Sequence, residues 1–390
     1  MDTIRVAVVG GGIVGSSVAY HLGADPSTEV TVFERGELAG ETTAASGAFV
    51  GLWGDEPPAY RRLKEYGVRL YNDFLADPRA NSSYTYAPRL GIASTREGAS
   101  ELQAAAATRE CVRGRAEYVP GERLDAELLH PGIDTANVEG AIYRPNLGFL
   151  DATELAAEFV ERARERGVRF ETETTIEDVT TDDGAVTGVV ADGDHRSFDA
   201  VVAAAGPWNR QIADFVGIDV PIRQTLGPIL VFEPETLVPY DTFSVKHVES
   251  GVYFRQQPDG TVFAGHYPGG YEDAGRELDP DDVPTTVPSD IREKIRRVVE
   301  TYFPWVEGAP VVDEWVGVRS LTPDAGAIAG WTSVEGFYAT GFNAAGIQLA
   351  PVIGHVVAEQ LLRGNPTEYY DAVRLSRFAG HGDVFRSWDD

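Results

Sequence analysis

With 390 residues, 43% of them hydrophobic and 10% aromatic, the chain is long enough for one bilobal unit or two domains with an ample core. A formal net charge of −28, from 33 basic against 61 acidic residues, argues against nucleic acid as a partner, and no apolar run approaches the ~20 residues of a membrane span. The single cysteine, Cys111, allows neither an intrachain disulfide nor a cysteine metal cluster and is expected to be a small buried apolar residue.

Ile4–Val9 is an apolar, β-branched run that opens into Gly10-x-Gly12-x-x-Gly15. Residues 16–22 then read as a helix, and 29–34 as a second β-branched strand ending in an acid. In this βαβ setting each glycine has a task. Gly10 permits the tight turn, Gly12 has no Cβ to hold a pyrophosphate away, and Gly15 lets helix and strand pack closely. The helix N-terminus offers free N–H groups and the positive end of its dipole to phosphates. Glu34, about 20 residues beyond the last glycine, stands where a carboxylate accepts ribose hydroxyls, which argues against NADP. The motif predicts an adenine dinucleotide and leaves FAD and NAD open.

Further along, Leu63, Tyr66, Leu70, Tyr71 and Phe74 form an apolar stripe at helical spacing within 55–77, and the alanine-rich stretch 98–112 predicts a second helix. Asp151 with Glu154 resembles a capping box that opens a helix ending at Gly167. Short strands are expected at 168–172, 185–190 and 200–205. From 222 to 266 the pattern is alternating strand, with 251–255 and 261–265 joined as a hairpin by the turn Pro258-Asp259-Gly260. Residues 289–303 predict an amphipathic helix stopped by Pro304, 347–362 the last helix, and the chain beyond 374 a loose polar tail.

Four later stretches complete a pattern: Thr42-Thr43-Ala44-Ala45-Ser46-Gly47, Ala203-Ala204-Ala205-Gly206-Pro207-Trp208, Gly317-Val318-Arg319 before Thr322-Pro323-Asp324, and Gly341-Phe342-Asn343-Ala344-Ala345-Gly346. Together with the N-terminal motif, these resemble the FAD-dependent D-amino acid oxidase superfamily, most of all its sarcosine oxidase, glycine oxidase and D-amino acid dehydrogenase branches. The order is the same over nearly the whole chain. The resemblance implies an α/β (α+β overall) fold. A discontinuous Rossmann-type FAD-binding domain (1–85, 140–220, 315–375) carries an inserted, mostly antiparallel substrate domain (86–139, 221–314), and 376–390 is an acidic tail.

It also implies FAD contacts at Gly10, Gly12, Ile13, Val14, Gly15, Glu34, Arg35, Thr42, Thr43, Ala45, Ser46, Ile176, Ala205, Gly206, Trp208, Arg319, Gly341, Asn343, Gly346, Ile347 and Gln348. The glycine loop 341–346 at a helix N-terminus suits this, since its dipole can stabilise negative charge on the pyrimidine edge of a reduced flavin. Some sarcosine oxidases carry a lysine where Gln348 stands, so the dipole does more here. Members with covalent FAD use a cysteine near Thr-Pro-Asp or an early histidine. Gly317 and its neighbours occupy the cysteine slot, so noncovalent FAD is expected.

The expected chemistry is hydride removal from the carbon bearing nitrogen in a small amino acid or N-methyl amino acid, followed by hydrolysis of the imine. Alternatives are an enzyme of the same fold oxidising a 2-hydroxy acid, an NAD enzyme, and a non-catalytic flavin-bearing subunit or assembly factor. Arg319 matches the arginine that grips the substrate carboxylate in glycine and D-amino acid oxidases. A planar guanidinium suits a carboxylate as a two-point fork. The alternative is a structural arginine paired with Asp313, Glu314 or Asp324. Tyr253 and Arg255, on one strand face, and His266 and Tyr267 are expected to border the substrate, His266 being otherwise an exposed turn residue. The strand positions that best match an oxygen-activating lysine hold Phe263 and Thr261, which puts rapid use of oxygen in doubt. The acceptor is oxygen or an electron-transfer partner.

Only three of the basic residues are lysines, at Lys64, Lys246 and Lys294, and the acids are dispersed. This composition looks like adaptation to high salt, the alternative being an ordinary acidic protein. The N-terminus shows no secretory signal pattern, and a cytoplasmic location is expected. Melting temperature is expected to climb steeply with added KCl. Below about 0.1 M ionic strength screening reaches ~10 Å or more, and repulsion between surface acids grows. A flat melting curve from low to molar salt would reject the salt adaptation.

Overall fold

The computed structural model describes residues 3–51, 58–108, 116–127, 132–236, 238, 243–267, 278–364 and 368–379. Cys111 and most of the expected tail lie outside them. Two large sheets organise the chain. In the first, Ile328–Trp331, Phe337–Gly341, Ala200–Ala203, Ile4–Val9, Thr28–Phe33 and Arg169–Glu171 lie side by side in that order, all parallel except the edge pair formed by the first two. Parallel strands covered on both faces are largely apolar, and 6–9, 30–33 and 200–203 are unbroken buried runs in which Thr31 alone is polar.

The second sheet has eight strands in the order Val311–Leu321, Arg223–Phe232, Val262–His266, Val252–Gln256, Ser244–His247, Arg89–Ala93, Gly140–Arg144 and Glu117–Pro120. Its pairs are antiparallel except Ser244–His247 beside Arg89–Ala93. The hairpin at 252–266 is as the turn residues predict. Two segments that the sequence division places with the nucleotide-binding part, 140–144 and 315–321, hydrogen-bond in this sheet instead. Their alternation is too short to identify the sheet they join.

The helices differ from expectation mainly at their ends. The stripe at 55–77 becomes Pro58–Leu75, and 98–112 becomes Arg96–Thr108 with 109–112 outside the described residues. The first helix starts at Ile13, three residues before the expected start, because Gly12 is already its N-cap. Asp151 caps Ala152–Glu165, accepting from Thr153 and Glu154 N–H at 2.9 Å each.

Ile13–Leu22 and Gly346–Arg363 cross very closely. A Cβ on Gly354 would lie 2.5 Å from Ser17 Oγ and 2.8 Å from Ser17 backbone atoms, and Ser17 Oγ donates to the Ala350 carbonyl at 2.8 Å. Pro351, inside the second of these helices, has no N–H for the Ile347 carbonyl. The Tyr71 hydroxyl, buried on Pro58–Leu75, donates to that carbonyl instead. The crossing brings the N-termini of both helices, and the glycine loops that precede them, to one place. No helix of the described residues is long and apolar enough to cross a membrane.

Candidate active site

A cavity of about 970 Å³ runs from the glycine loops to the face of the eight-stranded sheet. Gly10, Gly12, Ile13, Val14, Glu34, Arg35, Thr42, Thr43, Ala45, Ser46, Ile176, Ala205, Gly206, Trp208, Arg319, Asn343, Gly346, Ile347 and Gln348 line it, as do Tyr253 and Tyr267. Gly15, Gly341 and His266 do not.

At the loop end the backbone is fixed by contacts only glycine permits. Gly10 has φ +109°, and a Cβ there would lie 2.6 Å from the Ala204 carbonyl oxygen. Gly15 works behind the wall, where its Cβ would fall 1.9 Å from the Gly10 carbonyl oxygen. Gly341 likewise packs against Ile222 and Ile328. The Glu34 carboxylate accepts from Gly11 N–H at 2.7 Å and Gly36 N–H at 2.9 Å, so it braces the loop while lining the cavity. Thr43 Oγ1 accepts from Ile13 N–H at 3.1 Å. Among the described residues the buried Thr42 Oγ1 has no hydrogen-bond partner, a cost of about 1–3 kcal/mol that a ligand's polar group would relieve. Neither helix is capped by the side chain of its own N-cap residue. These features suit a phosphate-bearing dinucleotide and the anionic edge of a ring.

Trp208 also lines the cavity; its indole N–H donates to Asp281 at 2.8 Å, while the Arg35 guanidinium stacks 4.3 Å over the indole and pairs with Asp281 at 2.9 Å. Asp281 comes from the acidic run at 279–282, which the sequence offers only as charge. Arg35 and Asp281 are half exposed, so the ion pair contributes little.

At the sheet end Arg319 donates to the Leu226 carbonyl and, at 3.4 Å, to that of His266, and lies 4.3 Å over the Tyr267 ring. Two of its expected acidic partners are engaged elsewhere, Asp324 by Arg377 and Glu314 by Arg292. Tyr253 lines the same wall over Gly265; burial pushes its hydroxyl pKa up, while Arg319, Arg255 and Arg89 pull it down. His266 is neither an exposed turn residue nor a wall residue. It is buried behind the sheet with its Nε2 3.0 Å from Lys294 Nζ, and only its carbonyl serves Arg319. Strand alternation explains this, since Gly265 takes the cavity face. Arg255 is also off the cavity, donating to the Gly47 carbonyl at 2.8 Å and packed among Phe49, Phe149 and Phe263.

Sequence reading missed four cations on the wall: Lys64, Arg89, Arg144 and Lys246. The signal available was scarcity, for two of only three lysines stand here. Lys64 and Lys246 reach the cavity wall from elements other than the strand that carries Phe263. Burial, and then Arg144, push the Arg89 guanidinium down to about 9. Among the described residues no histidine lines the cavity and no side-chain group could hold a metal ion.

A family model described as FAD dependent oxidoreductase matches residues 5–360. The chain is 27% identical over 388 residues to 4-methylaminobutanoate oxidase (formaldehyde-forming) of Paenarthrobacter nicotinovorans, covering 97% of this chain but only 46% of that protein. It is 25% identical over 384 residues to glycine oxidase of Bacillus licheniformis, covering 96% and 97%. The crystal structure of L-proline dehydrogenase from P. horikoshii superimposes with a TM-score of 0.81 at 20% identity, covering 97% and 98%, a likeness of fold.

Proposed function

The chain belongs to the FAD dependent oxidoreductase family, its relatives include glycine oxidase and 4-methylaminobutanoate oxidase, and from that premise we propose that it oxidises the C–N bond of a small amino acid or N-methyl amino acid. The observation that carries this reading is Arg319, which shares one cavity with both glycine loops. The six-stranded sheet and its helices hold the dinucleotide, and the eight-stranded sheet presents the substrate.

Bound FAD would supply the hydride acceptor, held by Gly10, Gly12, Thr42, Thr43 and Glu34 at one end and by the 341–346 loop at the other. The fork of Arg319 takes the substrate carboxylate, fixing the carbon that bears nitrogen. Tyr253 and Tyr267 close the wall around it and keep water out, which strengthens the charge-assisted pair. Hydride leaves that carbon as the nitrogen lone pair forms the imine, and water then hydrolyses the imine. An amine that reacts neutral needs no base, whereas a 2-hydroxy acid must lose a hydroxyl proton.

The test is anaerobic flavin reduction by glycine, sarcosine, D-alanine, proline and 2-hydroxyglutarate. Bleaching by an amine is the expected result. Bleaching by the hydroxy acid alone would transfer the activity to hydroxy acids, and bleaching by none would favour a non-catalytic subunit. The flavin is held without a covalent bond, so acid precipitation releases its colour to the supernatant; a yellow pellet would contradict this.

A further inference from the structure

We propose that Arg89, Arg144 and Lys246 form a subsite for a second carboxylate, making the substrate an amine that bears two acidic groups. This rests on Arg319 as the anchor for the first. In the eight-stranded sheet Arg89 stands opposite Arg144 on one side and Ser244 on the other. Lys246, two residues beyond Ser244, stands between Gly91 and Tyr253. Alternation puts all of these on one face, and Arg89, Gly91, Arg144, Lys246 and Tyr253 all line the cavity.

The wall is built for its heads. Gly91 leaves space beside Arg144, for a Cβ there would lie 3.3 Å from Arg144 Nη1. Arg89 is buried and oriented, its Nε donating to Ser244 Oγ at 3.2 Å and its guanidinium 4.1 Å over Phe49. One ring joins the subsite to the anchor: Tyr267 has Arg319 at 4.3 Å and Lys246 at 5.8 Å from its centroid. Glu249, an acid on the same wall, is occupied with Ser94 and Thr95 N–H groups and with His247.

One carboxylate needs one fork. Setting further cations beside it, in a chain of net charge −28, raises the local potential for anions. These cations stand on the eight-stranded sheet, whereas the strand before the Gly10–Gly15 loop belongs to the six-stranded one. An entering acid group offsets the burial of Arg89 and its repulsion by Arg144, which a neutral side chain does not.

The experiment compares acid–amide pairs of equal shape on the holoenzyme: aspartate with asparagine, glutamate with glutamine, N-(carboxymethyl)glycine with its monoamide. Binding of the non-reacting pair glutarate and glutaramate is measured by calorimetry alongside flavin reduction. The acids are expected to bind ~10-fold or more tightly than the amides. Lys246→Gln and Arg144→Gln should each shrink that ratio severalfold, and Lys246→Glu should invert it.

Equal or tighter binding of the amides in the wild type overturns the subsite, even if no variant folds. A preference for acids that persists through both neutral variants overturns its assignment to this wall. If no amine reduces the flavin yet glutarate is preferred and the variants abolish the preference, the subsite stands and amine oxidation fails. Reduction by monoacids with no preference for diacids leaves amine oxidation standing and removes the subsite.

Discussion

Replacing Arg319 by alanine is expected to raise the substrate concentration needed for flavin reduction by roughly 30- to several-thousand-fold, the equivalent of about 2–5 kcal/mol for truncating one partner of a charge-assisted pair in a desolvated site. Arg319→Lys should fall well short of wild type as well. It keeps the charge but loses the planar fork, the stacking on Tyr267 and the donation to the Leu226 carbonyl. FAD content should fall far less than substrate affinity, because Arg319 is one of many expected FAD contacts and the strand before the Gly10–Gly15 loop belongs to the other sheet. Anaerobic titration of wild type and both variants with the best substrate decides the matter. If both reduce at unchanged concentrations, Arg319 is a structural tie between 223–232 and 262–266.

Gly15→Ala should strip the protein of most of its FAD. The new methyl would meet the Gly10 carbonyl oxygen at 1.9 Å, and Gly10 has no room to move. Its own N–H donates to the Phe33 carbonyl at 2.8 Å and it packs against Ala204. Either the helix withdraws from the strand or the turn opens, and overpacking of this kind costs about 1–3 kcal/mol of fold stability. Both the flavin-to-protein absorbance ratio and the melting temperature of stripped protein should fall. Gly12→Ala separates the two effects: its methyl lies 3.2 Å from Thr43 Oγ1, a contact that small shifts absorb, yet it stands where the phosphates approach. That variant should melt near wild type when stripped and still fail to hold FAD. Stoichiometric flavin in both variants would sink the glycine-loop assignment.

The first βαβ unit was legible to within about three residues at its element ends because its information is local. Glycine spacing, the β-branched runs on either side and the acid at 34 all act within one turn and one strand, so sequence spacing is distance. The same holds for the Asp151 cap, the Pro258-Asp259-Gly260 hairpin and the stop at Pro304. Elsewhere sequence reading erred by how far a residue is carried. Arg255 shares a face with Tyr253 as alternation requires, but Phe49 and Phe149 arrive from remote segments and enclose it short of the cavity. His266 lies one residue past Gly265, and the pleat turns it to Lys294 on a helix.

Short-range stereochemistry is enough to specify the dinucleotide turn and the second glycine loop, and both can be read along the chain; the motif singles out Arg319, but only strand pairing places it in the eight-stranded sheet. Which cations meet that arginine depends on long-range pairing. Arg89, Arg144 and Lys246 sit on three strands far apart in the chain, and no local pattern marks them as neighbours. Hydrogen-bond register across the sheet aligns them, and the missing side chain of Gly91 makes room.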